Sequence, residues 1–190
     1  MKLYLFDFDG TLTQKDSMIE FLIFVNDNKF MFFLKTLLAF PLLIILSMIS
    51  FNKFKSHFLK IHLHKFTEED LQAKSKKFAN RIIKKLYPEA LSYLNNIQGE
   101  EKYIVTASLD IWMEEISKKL NCKLICTQSI FRNKKFVSIK TNCKGIVKKE
   151  RIMNEIYLEK FDEILTFGNS KYDKEMMSLG TSKYFKYFNK

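Results

Sequence analysis

Hydrophobic and polar positions divide the chain into three stretches. Residues 2 to 6, Lys-Leu-Tyr-Leu-Phe, form a short run of mostly apolar and aromatic side chains, as a buried strand requires, and the run ends at Asp7 and Asp9. From residue 16 to about 87 the pattern is helical throughout, opening with Asp16-Ser17 as a helix N-cap before Met18-Ile19-Glu20-Phe21-Leu22. From Pro88 the pattern alternates. Pro88-Glu89-Ala90 starts a helix, because proline suits the first helical position. A strand is predicted at 102–106, a helix at about 109–120, a strand at 123–127 and a hairpin around Arg132-Asn133-Lys134-Lys135. A helix from about Gly145 to Leu158, a strand at 164–167 and a helix at about 171–179 complete the chain. Strands alternating with helices predict an α/β fold with a doubly wound, mainly parallel, Rossmann-like sheet. The helical block then becomes an all-helical insert between the first and second strands, with residues 1–15 and 88–190 as the core and 16–87 as the insert.

Composition narrows this picture. The chain has 190 residues, 47% of them hydrophobic, which is enough for one domain or a core with an insert. Its formal charge of +11 suits an anionic partner such as a phosphate ester, nucleic acid or an anionic membrane. Cys122, Cys126 and Cys143 have no metal-ligand spacing and read as reduced cytosolic thiols. Acids interrupt the first apolar run, so it does not read as a signal peptide.

The candidate chemistry begins at the end of the first strand. Asp7 and Asp9 are two residues apart and point to the same side if the strand continues. Adjacent carboxylates disfavour each other's ionisation, and a cation between them removes the conflict; oxygen-only ligands suit Mg²⁺. Gly10 follows where the backbone must turn tightly. Acids two apart also occur at strand ends with no function, so the pair alone does not decide the matter.

Three further segments stand in order behind it. Lys102-Tyr103-Ile104-Val105 runs into Thr106-Ala107-Ser108. Asn142-Cys143-Lys144-Gly145-Ile146-Val147-Lys148 follows. Ile164-Leu165-Thr166-Phe167 leads into Gly168-Asn169-Ser170-Lys171-Tyr172-Asp173. With Asp7-Phe8-Asp9-Gly10-Thr11-Leu12-Thr13, these resemble the four motifs of the haloacid dehalogenase (HAD) superfamily, over nearly the whole chain. The resemblance is to the helical-cap branch that includes phosphoserine phosphatase and bacterial phosphatidylglycerophosphatases.

That resemblance implies a phosphatase working through an aspartyl-phosphate. Asp7 is then the nucleophile, and Asp9 protonates the leaving alcohol and later activates water. Thr106 offers a hydroxyl to a phosphoryl oxygen, and Lys148 sets a fixed positive charge against the developing negative one. Lys149 is an alternative to Lys148, and Ser108 and Lys144 are second choices for these roles. The implied metal set for Mg²⁺ is Asp7, Asp9 (through its backbone carbonyl), Asn169 and Asp173. Gly10, Thr11, Ser108 and Asp16 are the substrate-binding candidates, with Asp16 equally readable as a plain N-cap. Asn142 and Cys143 read as loop geometry. Asn169 departs from the family, in which many members carry Asp there; an amide oxygen can ligate Mg²⁺ but brings no charge.

The insert carries the substrate question. Phe30 to Phe51 has a single charge, Lys35, and one proline, Pro41. Its length is borderline for a membrane span of roughly 20 residues. A single span would separate Asp7 from Thr106 and Lys148, so the segment must return to its own side. Pro41 is expected to break it into two short helices of about 15 Å each. Next to it, Phe54, Phe58 and Ile61 share one helical face, and Lys53, His57, Lys60 and His64 another, which suits anionic headgroups or an ordinary solvated surface. Three classes follow: a Mg²⁺-dependent phosphatase of a lipid phosphate such as phosphatidylglycerophosphate, a soluble metabolite phosphatase, and a non-enzymatic anion-binding module. The first implies a cytoplasmic protein that is peripheral on the inner face of the cytoplasmic membrane. No nucleic-acid motif and no protein partner are legible.

Overall fold

In the computed structural model, which describes residues 1–26 and 28–188, a five-stranded sheet runs in the order β3-β2-β1-β6-β7. Its strands are β1 (Lys2–Phe6), β2 (Glu101–Leu109), β3 (Lys123–Thr127), β6 (Glu163–Gly168) and β7 (Ser182–Phe185), and every neighbouring pair is parallel. The first strand therefore lies at the centre. The chain builds outward on one side, then crosses to the other, and the strand order reverses at β1. In open α/β sheets the crevice beyond the strand ends at such a reversal is the binding position.

Alternation along β1 sorts its side chains onto two faces. Leu3 and Leu5 meet Val105, Ile125 and Ile152, which belongs to α7 (Ile146–Glu155). On the other face Phe6, Phe167 and Tyr184 stack across three adjacent strands, with centroids 4.6 and 4.7 Å apart. Cross-strand aromatic pairs of this kind hold register as well as bury area. Tyr93 of α5 (Pro88–Asn96) meets Phe6 and Phe167 edge-on.

Between β1 and α5 come four helices: α1 (Ser17–Val25), α2 (Lys29–Ile49), α3 (Phe51–Leu63) and α4 (Glu68–Ile83). The sequence expectation of an all-helical insert agrees with this. The expected break at Pro41 does not occur. α2 continues through Pro41, about 31 Å long for its 21 residues, and the chain turns back at Ser50, whose backbone is extended. An internal proline costs a helix about 3 kcal/mol. Packing of α2 on α3 outweighs it: Phe32 and Leu43 are buried, Phe32 stacks on His62 at 4.7 Å, and Thr36 Oγ1 lies 3.2 Å from His62 Nε2.

Beyond α6 (Asp110–Lys119), β4 (Ser129–Arg132) and β5 (Lys135–Ile139) form the expected hairpin, turning through Asn133 and Lys134, both in the left-handed region. The hairpin leans on the insert, where Glu68 N donates to the Lys134 carbonyl and β5 packs on α3. The predicted helix at 171–179 is a single 3₁₀ turn (Lys171–Asp173) followed by the four-residue α8 (Lys174–Met177). β7, an edge strand whose side chains are half-buried or exposed, was not expected from the sequence.

Candidate active site

The C-terminal ends of β1, β2 and β6 meet the N-terminus of α7 around a cavity of about 300 Å³, lined among others by Asp7, Asp9, Asp16, Thr106, Ser108, Lys148, Asn169 and Asp173. A larger hollow of about 800 Å³ lies at the opposite, N-terminal edge of the sheet beside Glu101, Lys102 and Lys123, far from the acid pair.

β1 delivers Asp7, whose N–H donates to the Phe167 carbonyl at 2.9 Å, tying the strand end to β6. Lys148 reaches in from the first turn of α7 and donates to Asp7 Oδ1 at 2.6 Å and Asp173 Oδ1 at 2.7 Å. All three are nearly water-free, with Lys148 2% exposed. Burial alone would lower the Lys148 pKa, but Asp7 and Asp173 outweigh it, so the ammonium is held charged. Burial pushes the Asp7 carboxyl up against the pull of Lys148. Lys149 is not part of this arrangement, which separates the two lysines that the sequence left open.

Asp9 sits in a second network. Its oxygens accept from the Ser17 N–H at 2.7 Å and the Ser108 hydroxyl at 2.6 Å. The two serine hydroxyls lie 3.0 Å apart, and Trp112 Nε1 donates to Ser17 Oγ at 3.1 Å. Burial, with a contribution from Asp16, pushes Asp9 up to about 7. Thr106 Oγ1 accepts from the Ser108 N–H at 3.1 Å, where the β2–β3 register shifts between Thr106 and Leu109. Asp16 caps α1 through Ile19 N at 3.0 Å and also lines the cavity, so both of its readings have a structural basis.

Two candidates lie behind the cavity wall. Thr11 donates its hydroxyl to Asp7 Oδ2 at 2.8 Å and is 4% exposed, which orients Asp7 and leaves that hydroxyl unavailable to a ligand. Gly10 has φ +81°, and a Cβ there would fall 2.0 Å from Asn169 Nδ2. Its missing side chain is the space that the Asn169 amide occupies. Neither of these two substrate-binding candidates lines the cavity; Thr11 contacts Asp7, and Gly10 abuts Asn169.

Several residues escaped the sequence reading. Lys55 of α3 is buried, and its Nζ donates to the Ala107 carbonyl at 2.6 Å and Asn142 Oδ1 at 2.8 Å. Burial lowers its pKa to about 8, against the pull of Asp9 and Asp16. Asn142 lines the cavity instead of serving loop geometry alone. Ser17 and Trp112 complete the support of Asp9. The legible signal for Lys55 was its phase: it falls on the helical stripe of Leu59 and His62, not with Lys53 and Lys60.

Among the described residues no group of three or more His, Cys, Asp or Glu side chains forms a ready-made metal cage. The oxygen donors at the sheet edge still fit Mg²⁺, which takes few protein ligands and keeps water and phosphate oxygens. The Asp7 carboxylate, the Asp9 carbonyl and the Asn169 amide are the fitting set. No backbone hydrogen bond among the described residues uses the Asp9 carbonyl, and the Asn169 amide sits in the space left by Gly10. Asp173 is otherwise committed. Its Oδ1 holds Lys148, and its Oδ2 accepts from the N–H groups of Asn169 and Ser170 and from Ser170 Oγ at 2.7 Å. That geometry fits a positioning residue better than the direct ligand expected from the sequence.

Solved structures share this architecture. A Bordetella pertussis Tohama I protein of unknown function superposes with a TM-score of 0.74 at 19% identity, covering 96% of this chain and 88% of its own. A phosphoserine phosphohydrolase-like protein from Francisella tularensis gives 0.63 at 19% identity, over 96% and 84%. A phosphoserine phosphatase in its apo form gives 0.64 at 19%, over 97% and 85%. No curated protein matches the chain by sequence. The model of the haloacid dehalogenase-like hydrolases matches residues 4–178, and the chain belongs to that family.

Proposed function

We propose that this hydrolase cleaves phosphate monoesters through an aspartyl-phosphate on Asp7, with residues 16–87 acting as the cap over the site. One observation carries the reading: a buried carboxylate, Asp7, is paired with a fixed ammonium, Lys148, and stands next to a second carboxyl, Asp9, raised to about 7. An Asp7 oxygen attacks phosphorus while the bond to the leaving oxygen breaks, and Asp9 gives that oxygen its proton. Water then attacks the aspartyl-phosphate, Asp9 takes the proton back, and phosphate leaves. A carboxyl near neutrality suits both halves of that exchange. Lys148 balances negative charge on the phosphoryl oxygens, and Asp173 and Thr11 hold Lys148 and Asp7 in place. Thr106 has the hydroxyl on β2 that can donate to the phosphoryl oxygens, Ser108 spends its own on Asp9, and Asp16 is the acid at the cap entrance. Mg²⁺ bound by Asp7, Asp9 and Asn169 would supply further positive charge to the phosphoryl group.

The substrate we favour is a lipid phosphate such as phosphatidylglycerophosphate, met at the inner face of the cytoplasmic membrane, because the cap exposes the apolar helix α2. The second reading, a soluble ester such as phosphoserine, draws on the likeness in fold to phosphoserine phosphatases. Phosphate release with and without Mg²⁺, from phosphatidylglycerophosphate in mixed micelles and from a soluble panel, separates them. Preference for a soluble ester overturns the lipid reading. Release that persists unchanged in Asp7→Asn overturns the aspartyl-phosphate. A chain that binds these anions without turning any of them over is the anion-binding module.

A further inference from the structure

The longest helix of this molecule, α2, is strongly apolar and largely exposed. Only 11% of the apolar window of α2 is buried, through Phe32 and Leu43 on the side that meets α3. Five more positions are half-buried and the rest are exposed, with Leu37 69%, Leu38 75% and Met48 83% exposed, joined by Phe33 and Ile45. A continuous apolar surface several turns long is rare on a protein that meets only water and marks a contact site.

The charge around it identifies the occupant. From Asn28 to Thr67 the chain has no Asp or Glu, against six lysines and all three of its histidines. Lys29, Lys53 and Lys60 are exposed. Lys53, His57 and Lys60 share a groove with Leu46 of α2, so the basic face of α3 adjoins the apolar helix. An apolar strip bordered by cations, in a stretch of sequence without acids, complements a surface that is apolar within and anionic at its boundary.

We propose that the α2–α3 hairpin docks on a lipid bilayer bearing anionic headgroups, with α2 lying along the interface. The helix is long enough to cross a membrane, but α3 runs back beside it and carries Lys55 to the Ala107 carbonyl and Asn142. Crossing would carry the basic face of α3 through hydrocarbon and pull Lys55 from the cavity wall, so α2 enters one leaflet only. Where α2 ends, Ser50 leads into Phe51, which with Phe54 lines the candidate active-site cavity. The cavity mouth therefore stands at the end of the docked helix, facing molecules held in the bilayer. That last step rests on the phosphatase reading; the docking does not.

The test is sedimentation of the full chain with vesicles of phosphatidylcholine, alone or mixed in equal parts with phosphatidylglycerol, alongside turnover of a soluble aryl phosphate. Wild type should sediment with the mixed vesicles, more weakly with phosphatidylcholine alone, and less as salt is raised. The double variant Leu37→Glu, Leu38→Glu should lose vesicle partition about ten-fold or more while keeping soluble turnover. Asp7→Asn should lose turnover and keep partition, so failure of the catalytic reading is separable from failure of docking. Equal partition of wild type and the double variant overturns the proposal. So does an absence of vesicle binding together with a dimer that the double variant abolishes, which would make a second copy of this chain the occupant.

Discussion

The sheet edge and helix α2 invert the usual arrangement of a protein in opposite ways. At the sheet edge, charge is inside: Asp7, Lys148 and Asp173 are each at most 6% exposed. On α2, oil is outside: Leu38 and Met48 are three-quarters exposed or more. The first inversion is complete within the chain. Lys148 finds two carboxylates, and no buried side-chain N or O among the described residues lacks a partner. The desolvation cost of such a cluster is met by its own geometry, and removing one member leaves the others exposed to that cost. The second inversion has no internal completion. Each large side chain left in water forgoes about 1.5–3 kcal/mol that burial would supply. Satisfied inversion points to a preorganised reaction centre, and unsatisfied inversion points to a missing partner.

The sharpest way to break the first half is at Asp7. Asp7→Asn keeps the shape: Lys148 and Thr11 use different Asp7 oxygens, so the amide oxygen can serve Lys148 while its NH₂ group donates to the Thr11 hydroxyl. Steady-state turnover is expected to fall by about a thousandfold or more with the fold retained, because the amide is not a nucleophile. Residual turnover within tenfold of wild type would remove Asp7 from the nucleophile's role.

Lys148→Met tests whether the cluster is closed. Two buried carboxylates then lose their common cation, at a cost of about 3–5 kcal/mol in unfolding free energy. The deficit should narrow as pH falls and the orphaned acids become protonated. Denaturant melts at several pH values check this, and a constant deficit would show that packing of the lysine stem, not charge, was lost.

Asp9 gives the next effect in size. Its folded pKa, about 7, lies above the ordinary value of 3.8. Between those values the folded state holds the proton more tightly than the unfolded chain, so stability is full below the lower value and is lost as pH rises through the upper one. In metal-free buffer Asp9→Asn, which cannot ionise, should match wild type near pH 4 and exceed it by about 4 kcal/mol above neutrality. A gap that does not vary with pH would mean that Asp9 is not held protonated.

How much of this was legible depended on where the controlling contacts lie. β1, β2 and β6 were readable because each has a short apolar run leading into a motif, β3 because its short run lies between two turn signals, and the position of the insert followed from their order. β7 was not, because Ser182–Phe185 is an edge strand with no buried side to impose a pattern. The turn at Ser50 was misread as a break at Pro41 because local propensity pointed to the proline, while the packing that overrides it comes from α3. The acids and Lys148 carried local signatures. Lys55 lay among other lysines, and only its phase with Leu59 and His62 marked it as buried. Asp173 was visible, but its commitment to Lys148 and Ser170 depends on tertiary geometry that no spacing reveals.

The smallest expected effect tests the site's one departure from a fully acidic edge. Asn169→Asp adds a carboxylate beside Asp7 and Asp9, in the space that Gly10 leaves open. Without metal, three acids then compete in one low-dielectric corner, and the variant should melt below wild type. With Mg²⁺ the added charge becomes an advantage, and affinity measured calorimetrically should tighten by about tenfold. The variant's melting temperature should then rise with Mg²⁺ more steeply than that of wild type, since a ligand stabilises in proportion to how tightly it binds the folded state. If Mg²⁺ affinity does not change, Asn169 lies outside the coordination sphere and the metal rests on Asp7 and the Asp9 carbonyl alone. Because the two arms move in opposite directions, a general loss of structure cannot imitate the expected result.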